Sequence, residues 1–139
     1  MAKKQTPKNQ HERTRVDHAT EIAEDYVEAI AEIIEEQEVC RVKDLAEYFA
    51  VSHVTVNRTV ARLQRDGFAT TEPYNPVELT SKGAKLAKDS RHRHEIVLSF
   101  LVAMGVSEET AATDTEGIEH HVSPETLSMM EAFISKTQR

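Results

Sequence analysis

Most apolar residues of this 139-residue chain fall at helical spacing. Ile22, Tyr26, Ile30, Ile33 and Ile34 recur every three or four positions and predict a long helix over residues 17–38. Glu21, Glu24, Asp25, Glu28 and Glu32 fall on its polar side. A short helix over 43–50 turns Leu45, Ala46 and Phe49 inward. After the turn at Val51-Ser52, a second over 53–65 buries Val56, Val60 and Leu63, with Ser52 as a good N-cap. Past Gly67 the period changes. Phe68 to Thr71 is β-prone, Glu72-Pro73-Tyr74-Asn75-Pro76 is a turn, and Val77-Glu78-Leu79 alternates as a returning strand. A long helix over 82–104 stops at Gly105, a natural C-cap. Its apolar run, Ile96 to Met104, is wider than one stripe and can serve both a core and a partner subunit. Ser107 opens a short helix to about Asp114, and residues 116–122 read as another. Ser123-Pro124-Glu125 starts a last helix lined by Leu127, Met130, Phe133 and Ile134. Residues 1–16 show no apolar period and read as a disordered basic arm.

Composition agrees with a mainly α chain: four Gly, four Pro, no Trp and 39% hydrophobic residues. No run approaches the ~20 apolar residues of a membrane span, and no apolar signal region follows the basic start. A cytoplasmic location without a membrane partner is therefore expected. The single cysteine, Cys40, excludes an intrachain disulfide and any multi-cysteine zinc site. Net charge is −7 but unevenly placed. Residues 41–65 hold five Lys/Arg against two acids, whereas residues 94–139 hold two against eight. A basic middle and an acidic C-terminal part point to two jobs on one chain.

The basic part carries the first chemistry. Two short helices joined by a tight turn form a helix-turn-helix, and the strand-turn-strand that follows forms a wing. The second helix exposes Thr55, Asn57, Arg58, Arg62 and Arg65. Arg and Asn reach guanine and adenine edges in a major groove, and Thr can bond a base or touch a thymine methyl. The candidate DNA-contacting set is Ser52, His53, Thr55, Asn57, Arg58 and Arg62. Lys82 suits either a phosphate or plain solvent.

The acidic part carries the second. On a helix, Glu116, Glu119 and His120 share one face and offer two carboxylates and an imidazole to one point, a half-site for a hard divalent ion. A solvated acidic helix with two histidines reads the same way. Periodicity does not separate Asp25 and Glu28 from the other acids of their helix, and His94 at the edge of an apolar surface is an ordinary structural histidine. The chain shows no internal repeat, no glycine-rich phosphate loop, no nucleophile elbow and no His-Glu-x-x-His pattern.

Several separated segments together resemble the diphtheria toxin repressor family of metal-activated repressors, and within it the manganese transport regulator branch. They are Glu24-Asp25-Tyr26-Val27-Glu28, the helix-turn-helix from Val42 to Gly67, Leu79-Thr80-Ser81-Lys82-Gly83, Arg93-His94-Glu95 and Glu116-Gly117-Ile118-Glu119-His120-His121. The resemblance implies an N-terminal winged helix-turn-helix over 17–81 and an all-helical dimerisation and metal-binding domain over 82–139, without the SH3-like third domain of other members. It implies six metal ligands, Asp25, Glu28, His94, Glu116, Glu119 and His120, around two Mn2+ ions per subunit. Iron-sensing relatives carry Met and Cys where this chain has Asp25 and Glu116, and the change from sulfur to carboxylate favours the harder ion. The implied protein is not an enzyme. It is a homodimeric, Mn2+-responsive repressor of manganese uptake genes that binds palindromic operator DNA, with no small organic substrate. Two other readings fit the residues alone: a dinuclear metal hydrolase, and a winged-helix regulator not controlled by metal.

Overall fold

The computed structural model describes residues 7–137. Six helices and one two-stranded sheet follow in the order α1 (Pro7–Gln37), α2 (Val42–Phe49), α3 (His53–Arg65), β1 (Ala69–Thr70), β2 (Glu78–Leu79), α4 (Ser81–Met104), α5 (Glu108–Ile118) and α6 (Pro124–Thr137).

Local signals set most of the boundaries. Ser52 caps α3 by accepting from the Thr55 amide at 3.2 Å, and Ala50 turns the chain out of α2 in a left-handed conformation. β1 and β2 pair antiparallel with Ala69 opposite Leu79 and Thr70 opposite Glu78. The Val77 amide reaches the Cys40 carbonyl at 2.7 Å, so the segment between α1 and α2 joins the edge of this wing. Cys40 is fully buried there, and burial raises its thiol to about 12, which makes it an inert packing residue. Lys82, whose role was left between phosphate and solvent, donates to the Asp66 carbonyl at 2.8 Å and lies over the Phe68 ring, so it ties α4 to the end of α3.

One core joins α1 to the helix-turn-helix. Val27, Ile30, Leu45, Val56, Val60, Leu63 and Val77 are its fully or nearly fully buried members. Tyr26 stacks on Phe49 with ring centroids 4.4 Å apart, which fixes α2 against α1. The C-terminal helices α5 and α6 pack on α4. There α6 buries no residue among those described, and Met104, Met129 and Phe133 stay exposed.

Three expectations need correction. Residues 7–16, assigned to a disordered arm, continue α1, while 1–6 lie outside the described residues. Propagating a helix that is already nucleated costs far less than starting one, so this polar turn run needs no apolar face. Residues 116–122 are not a separate helix. α5 runs through to Ile118, with buried Thr115 inside it bonding back to the Ala111 carbonyl. Glu119 is the C-cap, and His120 and His121 lie in the turn that follows. Pro124 disfavours a helical Ser123, so the chain leaves the helix before α6 begins. Finally, Glu24, placed on the polar side of α1, is 4% exposed.

Gly83 marks a close approach between the wing and α4. A Cβ there would lie 1.9 Å from the Phe68 carbonyl oxygen, a backbone atom that cannot step aside. Gly83→Ala should therefore destabilise the fold by roughly 1–3 kcal/mol, the usual range for overpacking. Chemical denaturation of the two proteins checks this, and equal midpoints would contradict the packing.

Candidate metal centre and nucleic-acid interface

The acidic and histidine side chains converge where α1, α4 and the turn after α5 meet. α1 brings Asp25 and Glu28 on successive turns, with Glu24 beside them. α4 brings His94 and Arg93. The end of α5 and its turn bring Glu116, Glu119 and His120. His94 Nδ1 lies 2.5 Å from Glu119 Oε2 and 4.0 Å from Glu116 Oε1. His120 Nε2 lies 3.1 Å from Asp25 Oδ1 and 3.3 Å from Glu119 Oε1. Carboxylate oxygens of Asp25, Glu28 and Glu119 lie within 4.8 Å of one another. All six residues singled out in sequence thus fall in one region. A cavity of about 490 Å³ adjoins it and is lined by Asp25, Glu28, His94, Glu116 and, from α2, Tyr48 and Phe49.

Burial perturbs this cluster. It raises the Glu119 carboxyl to about 7, against the lowering influence of His94 and His120. It raises Glu28 too, against the Ser90 hydroxyl and His94. Burial alone would lower His120, but the carboxylates of Asp25 and Glu24 outweigh it and raise the imidazole to about 10. The cluster therefore holds protons in place of positive charge that its carboxylates lack.

Two features suit this set to a cation. The buried His120 Nε2 has carboxylate oxygens close by, but none is aligned with it as a hydrogen-bond partner. A buried ring nitrogen without a hydrogen bond is costly, and a cation that displaces its proton removes that cost. The opposite nitrogen, Nδ1, is 2.7 Å from Glu24 Oε2, and Glu24 is in turn 2.7 Å from an Arg93 guanidinium nitrogen. An orienting carboxylate behind a histidine is the usual support for a metal-ligating imidazole. Sequence reasoning missed Glu24. The available signal was its position three and six residues before Val27 and Ile30, on the buried stripe.

The second candidate surface is α3 and the wing. Ser52, His53, Thr55, Asn57, Arg58 and Arg62 are all exposed. Ser52 and Thr55 also bond each other at 3.0 Å as part of the helix cap. His53 and Asn57 line a groove with Arg41, Lys43 and the wing turn from Thr71 to Asn75. At the wing tip Tyr74 is fully exposed, with φ of +67°. Arg41, Lys43 and Tyr74 were not singled out in sequence, because only the fold brings them beside α3. Arg58 and Arg62 form no ion pair with an acid among the described residues, so their charge is free for an anion.

The family model described as "Iron dependent repressor, N-terminal DNA binding domain" matches residues 18–77, and "Iron dependent repressor, metal binding and dimerisation domain" matches 80–139. The chain is 45% identical over 127 residues to the transcriptional regulator MntR of Salmonella typhimurium (strain LT2), covering 91% of this chain and 79% of that one. It is 45% identical over 100 residues to the HTH-type transcriptional regulator MntR of Bacillus subtilis (strain 168), covering 72% and 70%. Among solved structures it is similar to a manganese-dependent transcriptional repressor in complex with manganese (TM-score 0.72, 28% identity, 84% of this chain and 54% of that one). It is also similar to the manganese regulator SloR (TM-score 0.71, 26% identity, 81% and 53%). The chain spans about half the length of these solved relatives.

The raised groups fix the sign of a pH effect. Glu119 holds its proton to about 7 instead of 4.5, and His120 to about 10 instead of 6.5. The folded chain thus binds more protons than the unfolded one. Their contribution is fully present at low pH and is lost as pH rises through these windows. In a chelator, the melting temperature should fall between about pH 6 and about pH 8.5. A rise over that range would contradict the assigned shifts.

Proposed function

The chain belongs to the iron-dependent repressor family, and from that membership we propose that it is a Mn2+-responsive repressor of manganese uptake genes that binds palindromic operator DNA as a homodimer. The observation that carries this reading is the origin of the clustered side chains. Asp25 and Glu28 lie on α1, whose other face packs on α2 of the helix-turn-helix, while His94, Glu116, Glu119 and His120 come from α4 and the end of α5. Residues 17–81 form the DNA-reading unit and 82–139 the metal-binding and dimerising unit.

Asp25, Glu28, His94, Glu116, Glu119 and His120 are the ligands. Four carboxylates and two imidazoles without a thiolate favour a hard ion such as Mn2+, and two ions per subunit would balance the four negative charges. When bound, the ions supply the positive charge that protons on Glu119 and His120 otherwise replace. Without either, Asp25, Glu28, Glu116 and Glu119 repel across a partly buried space. Compensated, Asp25 and Glu28 hold α1 to the turn that carries Glu119 and His120. α1 holds α2 through the Tyr26–Phe49 stack and through Tyr48, whose hydroxyl donates to Glu32 at 3.1 Å. The position of α3 follows from α2. The exposed apolar residues of α4 and α6, Met104, Met129 and Phe133, support a second copy packed on that face. A dimer so restrained sets two recognition helices at the spacing of successive major grooves, ~34 Å.

On DNA, Arg58 and Asn57 read base edges. Ser52, His53, Thr55 and Arg62 hold the helix to bases and backbone, with Tyr74 and Lys43 flanking from the wing side.

Three substitutions separate these roles. Arg58→Ala should weaken operator binding by roughly tenfold or more, within the ~1–3 kcal/mol of a base contact, and leave Mn2+ affinity intact. A gel shift and a calorimetric titration check it, and equal loss of both would make α3 merely structural. Glu116→Cys should move the ranking of activating ions toward softer metals, read by metal-dependent operator binding. An unchanged ranking would remove Glu116 from the ligand set. Tyr48→Phe should keep metal affinity but shrink the gain in operator affinity that Mn2+ produces. An undiminished gain would remove Tyr48 from the coupling route.

A further inference from the structure

α1 carries one more acid in register with the cluster. Glu21 and Asp25 are four residues apart and therefore neighbours on one face of α1. Ligand atoms of Glu21, Asp25 and His120 lie within 4.8 Å of one another, as do those of Asp25, Glu28 and Glu119. Asp25 is common to both groups. The two groups thus form two adjacent positions along α1 instead of one crowded pocket.

Glu21 by itself is an acid at a surface, with its side chain 31% exposed. Two independent features set it apart. The His120 imidazole beside it is buried, and its Nε2 lacks a hydrogen-bond partner although it stands 3.1 Å from Asp25 Oδ1. Its Nδ1 is held by Glu24, which leaves Nε2 as the nitrogen free to bind. On the outer side, His121 Nε2 lies 3.5 Å from Glu21 Oε2. One residue of the turn thus supplies a buried imidazole nitrogen that no hydrogen bond occupies, and the next lies beside the carboxylate that faces it.

We propose that Glu21 is a metal ligand of this chain, completing with Asp25 and His120 an outer cation position at the solvent edge of the cluster. The inference rests on the metal reading above and extends it. Two carboxylates and one neutral imidazole balance the charge of one divalent ion locally. The outer position shares Asp25 with the inner one at Glu28 and Glu119, and its His120 also touches Glu119. Its donors are mixed oxygen and nitrogen, and it opens to solvent, so it exchanges its ion more readily than the buried inner position.

The test is a calorimetric titration of the full chain with Mn2+ alone, comparing the wild type with Glu21→Gln and with Glu36→Gln. The second variant removes an equal charge from the exposed far end of α1 and controls for general electrostatics. Glu21→Gln should weaken one of the two binding events by about tenfold, in the range seen when a metal site loses a supporting carboxylate, and spare the other. Glu36→Gln should follow the wild-type isotherm. Melting of the metal-free proteins reports that the variants fold alike. A Glu21→Gln isotherm that superimposes on the wild type, or a Glu36→Gln isotherm shifted as far as it, would overturn the role of Glu21 and leave the six-ligand reading standing. A wild-type chain that takes up no Mn2+ would overturn both.

Discussion

Four carboxylates brought together in a partly buried space repel one another unless positive charge joins them. That single electrostatic demand organises the molecule. Glu119 is almost fully buried, and its carboxyl is raised to about 7; His120, packed between Asp25 and Glu24, is raised to about 10. Both shifts have the same meaning: the fold recruits protons to a site built for charge it does not itself contain. The Arg93–Glu24–His120 chain adds one permanent cation behind the cluster. It orients the imidazole without filling the space in front of it.

The demand becomes mechanical because α1 belongs to both halves. Its acids face the C-terminal turn, while Tyr26, Val27 and Ile30 sit in the core shared with α2 and α3. Close-packed aromatic contacts transmit displacement better than a solvated loop would, since interiors have little free volume to absorb it. The Tyr26–Phe49 stack is such a contact, and the exposed Tyr48–Glu32 bond adds a second tie; both land on α2, one turn of chain away from the capped start of α3. Charge balance on one face of α1 then decides how firmly the reading head is held on the other.

Much of this architecture was legible in the sequence where a single residue carries the signal. Ser52 and Gly105 marked helix ends because capping is local chemistry, and the two prolines between Glu72 and Pro76 marked the wing turn. What failed depended on contacts between elements. The continuation of α5 through Thr115 rests on burial that no local pattern encodes. The spacing of Glu24 from Val27 and Ile30 marked it as inward-facing, but the partners that make a carboxylate tolerable there, Arg93 and His120, lie far away in sequence. The site divides in the same way. Glu116, Glu119 and His120 were adjacent enough to be noticed, though on a helix that ends before two of them. Asp25, Glu28 and His94 were indistinguishable by periodicity and came only from the family resemblance. The proposed ligand Glu21 had no signal at all, because His120, the imidazole beside it, lies in a turn far along the chain.

Hydrogen–deuterium exchange over α1 and α2, with and without saturating Mn2+, tests the link between the two halves most directly. The amides around Asp25 and Glu28 and those of α2 should gain protection together with the turn at Glu119 and His120. Protection confined to that turn, with α1 and α2 exchanging as before, would contradict it.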